Sequence, residues 1–105
     1  MVKNNIKNNK YAHLSEPEST LDFHTLGILT KDEVEYLALQ FIQSSKQKGY
    51  KRILFITGKG IHSKDGEARI KPWLTSFLQK NIDVKKVFEA RKDRGGGGAL
   101  EVTLM

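Results

Sequence analysis

The chain has 105 residues, enough for one domain, and its 18 Lys and Arg outnumber its 12 Asp and Glu, leaving a formal net charge of +6 and a pI near 9.6. It contains no cysteine, which excludes disulfides, thiolate metal sites and thiol catalysis. No stretch approaches the roughly 18 apolar residues of a membrane-spanning helix, and the N-terminus lacks the pattern of a secretory signal. We therefore expect a cytoplasmic, monomeric protein with no membrane partner.

The first ten residues (MVKNNIKNNK) are mostly Asn and Lys, with only isolated apolar residues among them. Such a segment buries too little apolar surface to offset the entropy lost on ordering. We predict a largely disordered N-terminal tail over residues 1–19 and a single domain over residues 20–105.

The first predicted strand covers residues 20–24 (TLDFH), where apolar and polar residues alternate. On a strand, Asp22 and His24 would project from the same face of the sheet. A carboxylate beside an imidazole can fix its tautomer for proton transfer, or the pair can hold a divalent metal. In the structural alternative, Asp22 caps the following turn and His24 makes an ordinary hydrogen bond.

The first predicted helix begins at Thr30, because Thr30 and Glu33 have the spacing of a capping box. Gly49, which follows two lysines, is typical of a helix C-terminus. Between them, apolar residues recur at the helical period and predict one buried face. These residues are Val34, Leu37, Ala38, Phe41 and Ile42.

A continuous apolar run at residues 52–56 (RILFI) predicts a central strand covered on both faces. The turn 57–60 (TGKG) follows at once, at the sheet edge where α/β proteins usually bind ligands. Its glycines let the backbone approach a phosphate, and Lys59 supplies a counter-charge. A tight turn without any ligand would also explain both glycines.

The second predicted helix has Pro72 in its first turn and a buried stripe of larger apolar residues. The stripe consists of Trp73, Leu74, Phe77 and Leu78. The third strand is expected at about 84–90 and the last at 99–104. The order β-α-β-α-β-β predicts an α/β fold with helices packed on a mixed sheet.

Positive charge is concentrated in the second half of the chain. Residues 51–71 carry six basic side chains against two acidic ones, and residues 85–94 carry five against two. The basic run 91–94 (RKDR) leads directly into four glycines at 95–98. A mobile basic loop closing on a phosphate backbone would account for both halves of this segment, whereas a solvated surface and a flexible hairpin connection are the alternatives.

Four segments resemble, in order, the motifs of the Smr (small MutS-related) domain family. They are 21–24 (LDFH), 57–60 (TGKG), 70–74 (IKPWL) and 95–104 (GGGGALEVTL), and the resemblance covers about residues 20–105. It implies a two-layer βαβαββ sandwich, with a mixed four-stranded sheet and two helices, similar to the C-terminal domain of translation initiation factor three. It also implies nucleic-acid binding, with nicking of DNA or endonucleolytic cleavage of RNA.

The resemblance makes Asp22 and His24 the catalytic candidates. The expected nucleic-acid-binding residues come from the later motifs and from the basic and His residues near them: Thr57, Gly58, Lys59, Gly60, His62, Arg69, Arg91, Arg94, Gly95, Gly96 and Gly98. The chain departs from the family pattern in two places. Two residues separate His24 from Gly27, and Thr57 stands where some members have His.

Magnesium or manganese is the candidate cofactor, with Asp22 as its first ligand. One carboxylate is few for magnesium, which prefers several oxygen donors, so a metal-independent route stays open and no metal-binding residues are assigned. The competing functions are a non-catalytic module that binds branched or single-stranded nucleic acid, and a small protein-interaction domain. The sequence does not choose between DNA and RNA.

Overall fold

A computed structural model of the chain describes residues 16–27, 29–58, 65–90 and 96–105, with the side chains of the second helix described from Arg69 onward. The elements are β1 (Ser19–Asp22), a 3-10 turn (Phe23–Thr25), α1 (Lys31–Gln47), β2 (Arg52–Ile56), α2 (Asp65–Lys80), β3 (Val84–Glu89), a second 3-10 turn (Gly96–Gly98) and β4 (Ala99–Leu104). The predicted α/β fold and its βαβαββ order are confirmed. In the parts of the chain described, neither helix is long and apolar enough to span a membrane.

The four strands form one mixed sheet in the order β1-β2-β4-β3. β1 runs parallel to β2, and β4 runs antiparallel to both of its neighbours. As a result, β1, β2 and β3 all end at the edge of the sheet where β4 begins. We call this the carboxyl edge. The last residues of β1, β2 and β3 and the 3-10 turn Gly96–Gly98 therefore lie at one side of the molecule.

The main core lies between the sheet and the two helices, and aromatic rings form its centre. The ring of Phe55 stacks on Phe23 with the centroids 6.1 Å apart, and Phe41 meets it edge-on at 5.4 Å. The buried residues of this core are Phe23, Val34, Ala38, Ile42, Ile53, Phe55, Ile70, Leu74, Leu78, Leu100, Val102 and Leu104. A smaller cluster of Leu54, Ala90 and Ala99 occupies the opposite face of the sheet, because strand residues alternate between faces.

The capping box predicted for α1 is present. The Thr30 hydroxyl accepts a hydrogen bond from the backbone N–H of Glu33, and the Glu33 carboxylate accepts one from the backbone N–H of Thr30. At the other end, Gly49 follows the C-cap Lys48 with φ +80°. Glycine adopts this left-handed conformation without the steric penalty of a side chain, so both predicted ends of the helix are confirmed.

The prediction that Pro72 lies in the first turn of the second helix was wrong. α2 already begins at Asp65, and Pro72 lies inside it. Proline has no N–H, so the carbonyl four residues earlier loses its helical partner. The helix nevertheless continues, since Ile70 and Leu74, on either side of Pro72, are both fully buried in the core. Tertiary packing therefore outweighs the local preference against proline.

β1 takes in Ser19, the last residue of the predicted tail, and Glu18 ties its start to β2. The backbone N–H of Glu18 donates to the Arg52 carbonyl at 2.8 Å. In return, the Glu18 carboxylate accepts from the backbone N–H groups of Lys51 at 2.6 Å and Arg52 at 3.0 Å. Hydrogen bonds from Arg52 and Lys51 lower the pKa of the Glu18 carboxyl below its usual value of 4.5.

Replacing Glu18 by glutamine is expected to lower stability by about 1 kcal/mol or less, because the carboxylate is exposed and partly screened by water. The folded-state pKa of Glu18 lies below the unfolded value, so its contribution is present above about pH 4.5 and is lost as pH falls through the folded pKa. Urea unfolding of both proteins between pH 3 and 7 tests this. A difference in stability that does not change with pH would contradict it.

Candidate functional site

Three segments singled out in the sequence meet at the carboxyl edge. In the strand register, Asp22 pairs with Ile56, and Ile56 pairs with Ala99. The residues that follow β2 and precede β4 are therefore neighbours of the end of β1. Segments that are more than 30 residues apart in the chain come together through strand pairing alone.

The expectation that Asp22 and His24 share one face of a strand was wrong. β1 ends at Asp22, and Phe23–Thr25 form a 3-10 turn. The Asp22 Oδ1 atom caps this turn by accepting a hydrogen bond from the backbone N–H of His24 at 2.8 Å. Aspartate competes with the strand ladder by bonding locally to the backbone two residues ahead, which explains why the strand stops here. The capping role is thus present, whatever further role Asp22 has.

The turn places the exposed His24 side chain against Gly58. A Cβ atom at Gly58 would lie 3.0 Å from the Nδ1 atom of His24, and Gly58 has φ +85°. A side chain here would be strained by the backbone conformation, and the imidazole would have to give way by a few tenths of an ångström. Since Nδ1 faces Gly58, Nε2 lies on the far side of the ring. Glycine at this position is therefore required both by the backbone and by the close approach of His24.

The Gly98 carbonyl joins the second and third motifs. It accepts hydrogen bonds from the backbone N–H of Thr57 at 2.8 Å, the backbone N–H of Gly58 at 3.0 Å and the Thr57 hydroxyl at 3.2 Å. Thr57 is fully buried, so its hydroxyl acts within the protein. Thr57 was predicted to bind nucleic acid, and the structure shows it fixing the turn that carries Gly58. The first residue of the motif therefore serves the fold.

Lys71 and Glu89 also belong to this edge, although neither was among the predicted site residues. The Lys71 Nζ atom donates to Glu89 Oε2 at 2.6 Å and to the Gly97 carbonyl at 2.8 Å. The hydrogen bond from Lys71 lowers the pKa of the Glu89 carboxyl. In the sequence, the local positive charge and the motif segment 70–74 drew attention to Lys71, but its pairing with the end of a strand and with a turn depends on the folded geometry.

The other predicted binding residues divide into two groups. Arg69 is exposed on α2, and Gly96 begins the 3-10 turn that ends at Gly98. The remaining ones lie outside the described residues: Lys59, Gly60, His62, Arg91, Arg94 and Gly95. Their places at the site stay predictions.

Asp22 remains the first candidate metal ligand at this edge. Its Oδ1 atom already accepts the His24 N–H, while Glu89, on the opposite edge strand, is paired with Lys71. Within the described residues, no group of three or more His, Asp or Glu side chains is arranged to hold a metal ion. A magnesium or manganese ion here would share Asp22 with oxygens from a bound phosphate, because these ions prefer several oxygen donors.

The family model of the Smr domain matches residues 21–105, and it therefore includes β1 from its third residue and every later element. The chain belongs to the Smr domain family. Smr domains are known as nucleic-acid-binding domains. No curated protein gives a significant match to the chain.

Solved Smr structures share the fold. The chain resembles YdaL, a stand-alone small MutS-related protein from Escherichia coli, with a TM-score of 0.74 and 26% identity over 91% of this chain and 72% of YdaL. The Smr domain of Thermus thermophilus MutS2 matches with a TM-score of 0.65 and 20% identity, covering 82% of this chain and 94% of that domain. The B3BP Smr domain matches with a TM-score of 0.56 and 30% identity over 96% of this chain and 88% of that domain.

Proposed function

We propose that this Smr domain binds the sugar-phosphate backbone of DNA or RNA at its carboxyl edge and cleaves a phosphodiester bond there. The observation that carries the proposal is the contact between His24 and Gly58, which joins the first two motifs into one exposed site. Imidazole is the side chain best suited to proton transfer near neutral pH. The excess of basic residues, among them the exposed Arg69 on α2, supplies attraction for phosphate.

In this proposal, the oxygen of water or of a ribose 2′-hydroxyl bonds to the phosphorus as the P–O bond to the leaving oxygen breaks. His24 takes the proton of the attacking oxygen, or gives one to the leaving oxygen, through Nε2, the nitrogen on the far side of the ring from Gly58. Asp22 fixes the backbone of His24 by capping its turn, so it positions the imidazole. Phosphodiester cleavage also needs neutralisation of the charge that develops on the phosphate. Cationic side chains and backbone N–H groups at the carboxyl edge would provide it.

The second candidate is a binding module without chemistry, for branched or single-stranded nucleic acid. The observation that favours it is the use of Asp22 as a turn cap, because this structural task explains the Asp-x-His pattern without any reaction. In that case the basic surface alone would carry function. Binding would then weaken steeply with salt, as expected when most contacts are to phosphate.

Variants of Asp22 separate the two tasks of this residue. Asn keeps an acceptor oxygen for the His24 N–H, so Asp22→Asn should retain most of the stability, whereas Asp22→Ala should lose about 1 kcal/mol with the cap. If the negative charge of Asp22 serves the reaction, both variants lose cleavage. If Asp22 serves only as a cap, the Asp22→Asn variant cleaves like the wild type. Thermal unfolding and cleavage measured on the same samples distinguish these cases.

The direct test of the proposed activity is cleavage of end-labelled single-stranded, double-stranded and branched DNA and RNA, with magnesium, manganese or EDTA. His24→Ala should cut at least 10²-fold more slowly, the usual minimum contribution of a general acid or base, while binding the same substrates as tightly. Retained cleavage in His24→Ala would refute the catalytic role. Tight binding by a wild type that cuts none of the substrates would support the binding module instead.

A further inference from the structure

Lys71 links three elements at the carboxyl edge. It projects from α2, and its Nζ atom bonds both to the carboxylate of Glu89 at the end of β3 and to the Gly97 carbonyl in the turn before β4. The Lys71 side chain is 27% exposed, whereas Glu89 is 64% exposed. The ammonium group therefore faces the protein and spans the two ends of the β3–β4 connection.

The 3-10 turn Gly96–Gly98, which we call the glycine turn, is consequently held at two successive carbonyls. The Gly98 carbonyl accepts three hydrogen bonds from Thr57 and Gly58, and the Gly97 carbonyl accepts one from Lys71. Gly98 is buried, so its own N–H does not face a ligand. Its carbonyl instead holds Thr57 and Gly58, and Lys71 fixes the adjacent peptide of the same turn.

The contacts of Lys71 argue against a direct role as a phosphate ligand. A phosphate at its Nζ atom would have to displace either the Glu89 carboxylate, which lies 2.6 Å away, or the Gly97 carbonyl, which lies 2.8 Å away. Arg69, two residues earlier on the same helix, is exposed and thus better placed to meet a ligand. The charge of Lys71 instead stabilises contacts within the protein, to Glu89 and to the Gly97 carbonyl.

We propose that Lys71, held by Glu89, is a positioning residue: it fixes the glycine turn whose Gly98 carbonyl holds Thr57 and Gly58 at the candidate site, and it thereby supports binding of the nucleic-acid backbone there. The identity of the ligand rests on the proposed function. The orientation of the turn does not, and it can be measured in the free protein.

Four variants test this proposal, with a single-stranded oligonucleotide as the binding probe. Lys71→Met removes the donor but keeps the length of the side chain, and Lys71→Arg restores a donor. Glu89→Gln removes the charge that holds Lys71. Lys80→Met, which alters an exposed cation at the far end of α2, is the matched control for net charge.

We expect Lys71→Met to bind about tenfold more weakly, the equivalent of one charge-assisted hydrogen bond, and Lys71→Arg to recover much of the loss. Glu89→Gln should also bind more weakly, although removing a negative charge would by itself strengthen binding to an anion. The slope of log affinity against log salt should stay unchanged in Lys71→Met. Lys80→Met should bind like the wild type.

A salt slope reduced by about 0.7 in Lys71→Met, together with tighter binding by Glu89→Gln, would show that Lys71 contacts phosphate directly and would overturn the proposal. The free proteins supply a second, independent readout, the NMR amide resonances of Gly97 and Gly98. These should shift in Lys71→Met and not in Lys80→Met, and unmoved resonances would overturn the positioning role. If the wild type bound no nucleic acid, the proposed function would fail while the resonances still decided whether Lys71 sets the turn.

Discussion

Replacing Phe23 by alanine is expected to lower the free energy of unfolding by about 3–5 kcal/mol, the usual cost of removing a fully buried phenyl ring. Phe23 is completely buried, and its ring stacks on Phe55. Domains of this size are stable by only about 5–15 kcal/mol, so the variant should be partly unfolded at elevated temperature. Urea unfolding followed by the fluorescence of Trp73, the one tryptophan of the sequence, measures the loss.

Phe23 lies between Asp22 and His24, so replacing it is expected to disturb the position of His24 at the candidate site as well as the stability of the domain. The turn carrying His24 is fastened to the core mainly by this ring, and the core in turn places β2 and Gly58. The matched control is Leu26→Ala, which alters an apolar residue just after the same turn that is 46% exposed. It should cost about 1 kcal/mol or less, in line with the small area it buries. Equal losses in the two variants would contradict the role of Phe23 as the anchor of the turn.

Replacing Gly58 by alanine is expected to slow the proposed cleavage by less than the ~10²-fold that a displacement of about 1 Å causes, because the imidazole has to give way by only a few tenths of an ångström. The new Cβ atom would lie 3.0 Å from the Nδ1 atom of His24, so the imidazole has to move. The left-handed backbone at Gly58 adds a cost of about 1–2 kcal/mol in stability for any residue with a side chain. Cleavage rates and unfolding curves of the purified variant measure the two effects separately.

Gly49→Ala is the control that isolates the contact with His24. Gly49 has φ +80°, close to the +85° of Gly58, but a Cβ atom there would meet nothing within 4 Å. The two variants should therefore lose similar stability, while only Gly58→Ala loses activity and shifts the ring resonances of His24 in NMR spectra. Equal activity of the two variants, with unmoved His24 resonances, would show that the close approach has no functional consequence.

The candidate site was predicted in part from the sequence. Asp22, His24, Thr57, Gly58 and Gly98 were singled out there and lie at the carboxyl edge, while their functional roles stay predictions. The sequence offered the turn cap of Asp22 as one of two alternatives, and it did not predict the buried role of Thr57. Asp22 caps a turn and Thr57 is buried as a hydrogen-bond donor, because these roles depend on where the strand stops and which carbonyl lies opposite.

Sequence patterns by themselves determined the elements whose signals are local. The ends of α1 follow from the capping box at Thr30 and from Gly49, and β2 covers the predicted residues 52–56, because caps and apolar runs act over a few neighbouring residues. The order of elements and the family membership follow from the same kind of signal.

Only the tertiary structure decided the features that depend on contacts between distant segments. The helix containing Pro72 extends back to Asp65 because core packing outweighs the missing N–H, and Lys71 meets Glu89 and Gly97 because α2 crosses the end of β3. No local pattern encodes a pairing across 18 or 26 residues. Such contacts exist once strand register and helix packing are set, and they hold the glycine turn in place.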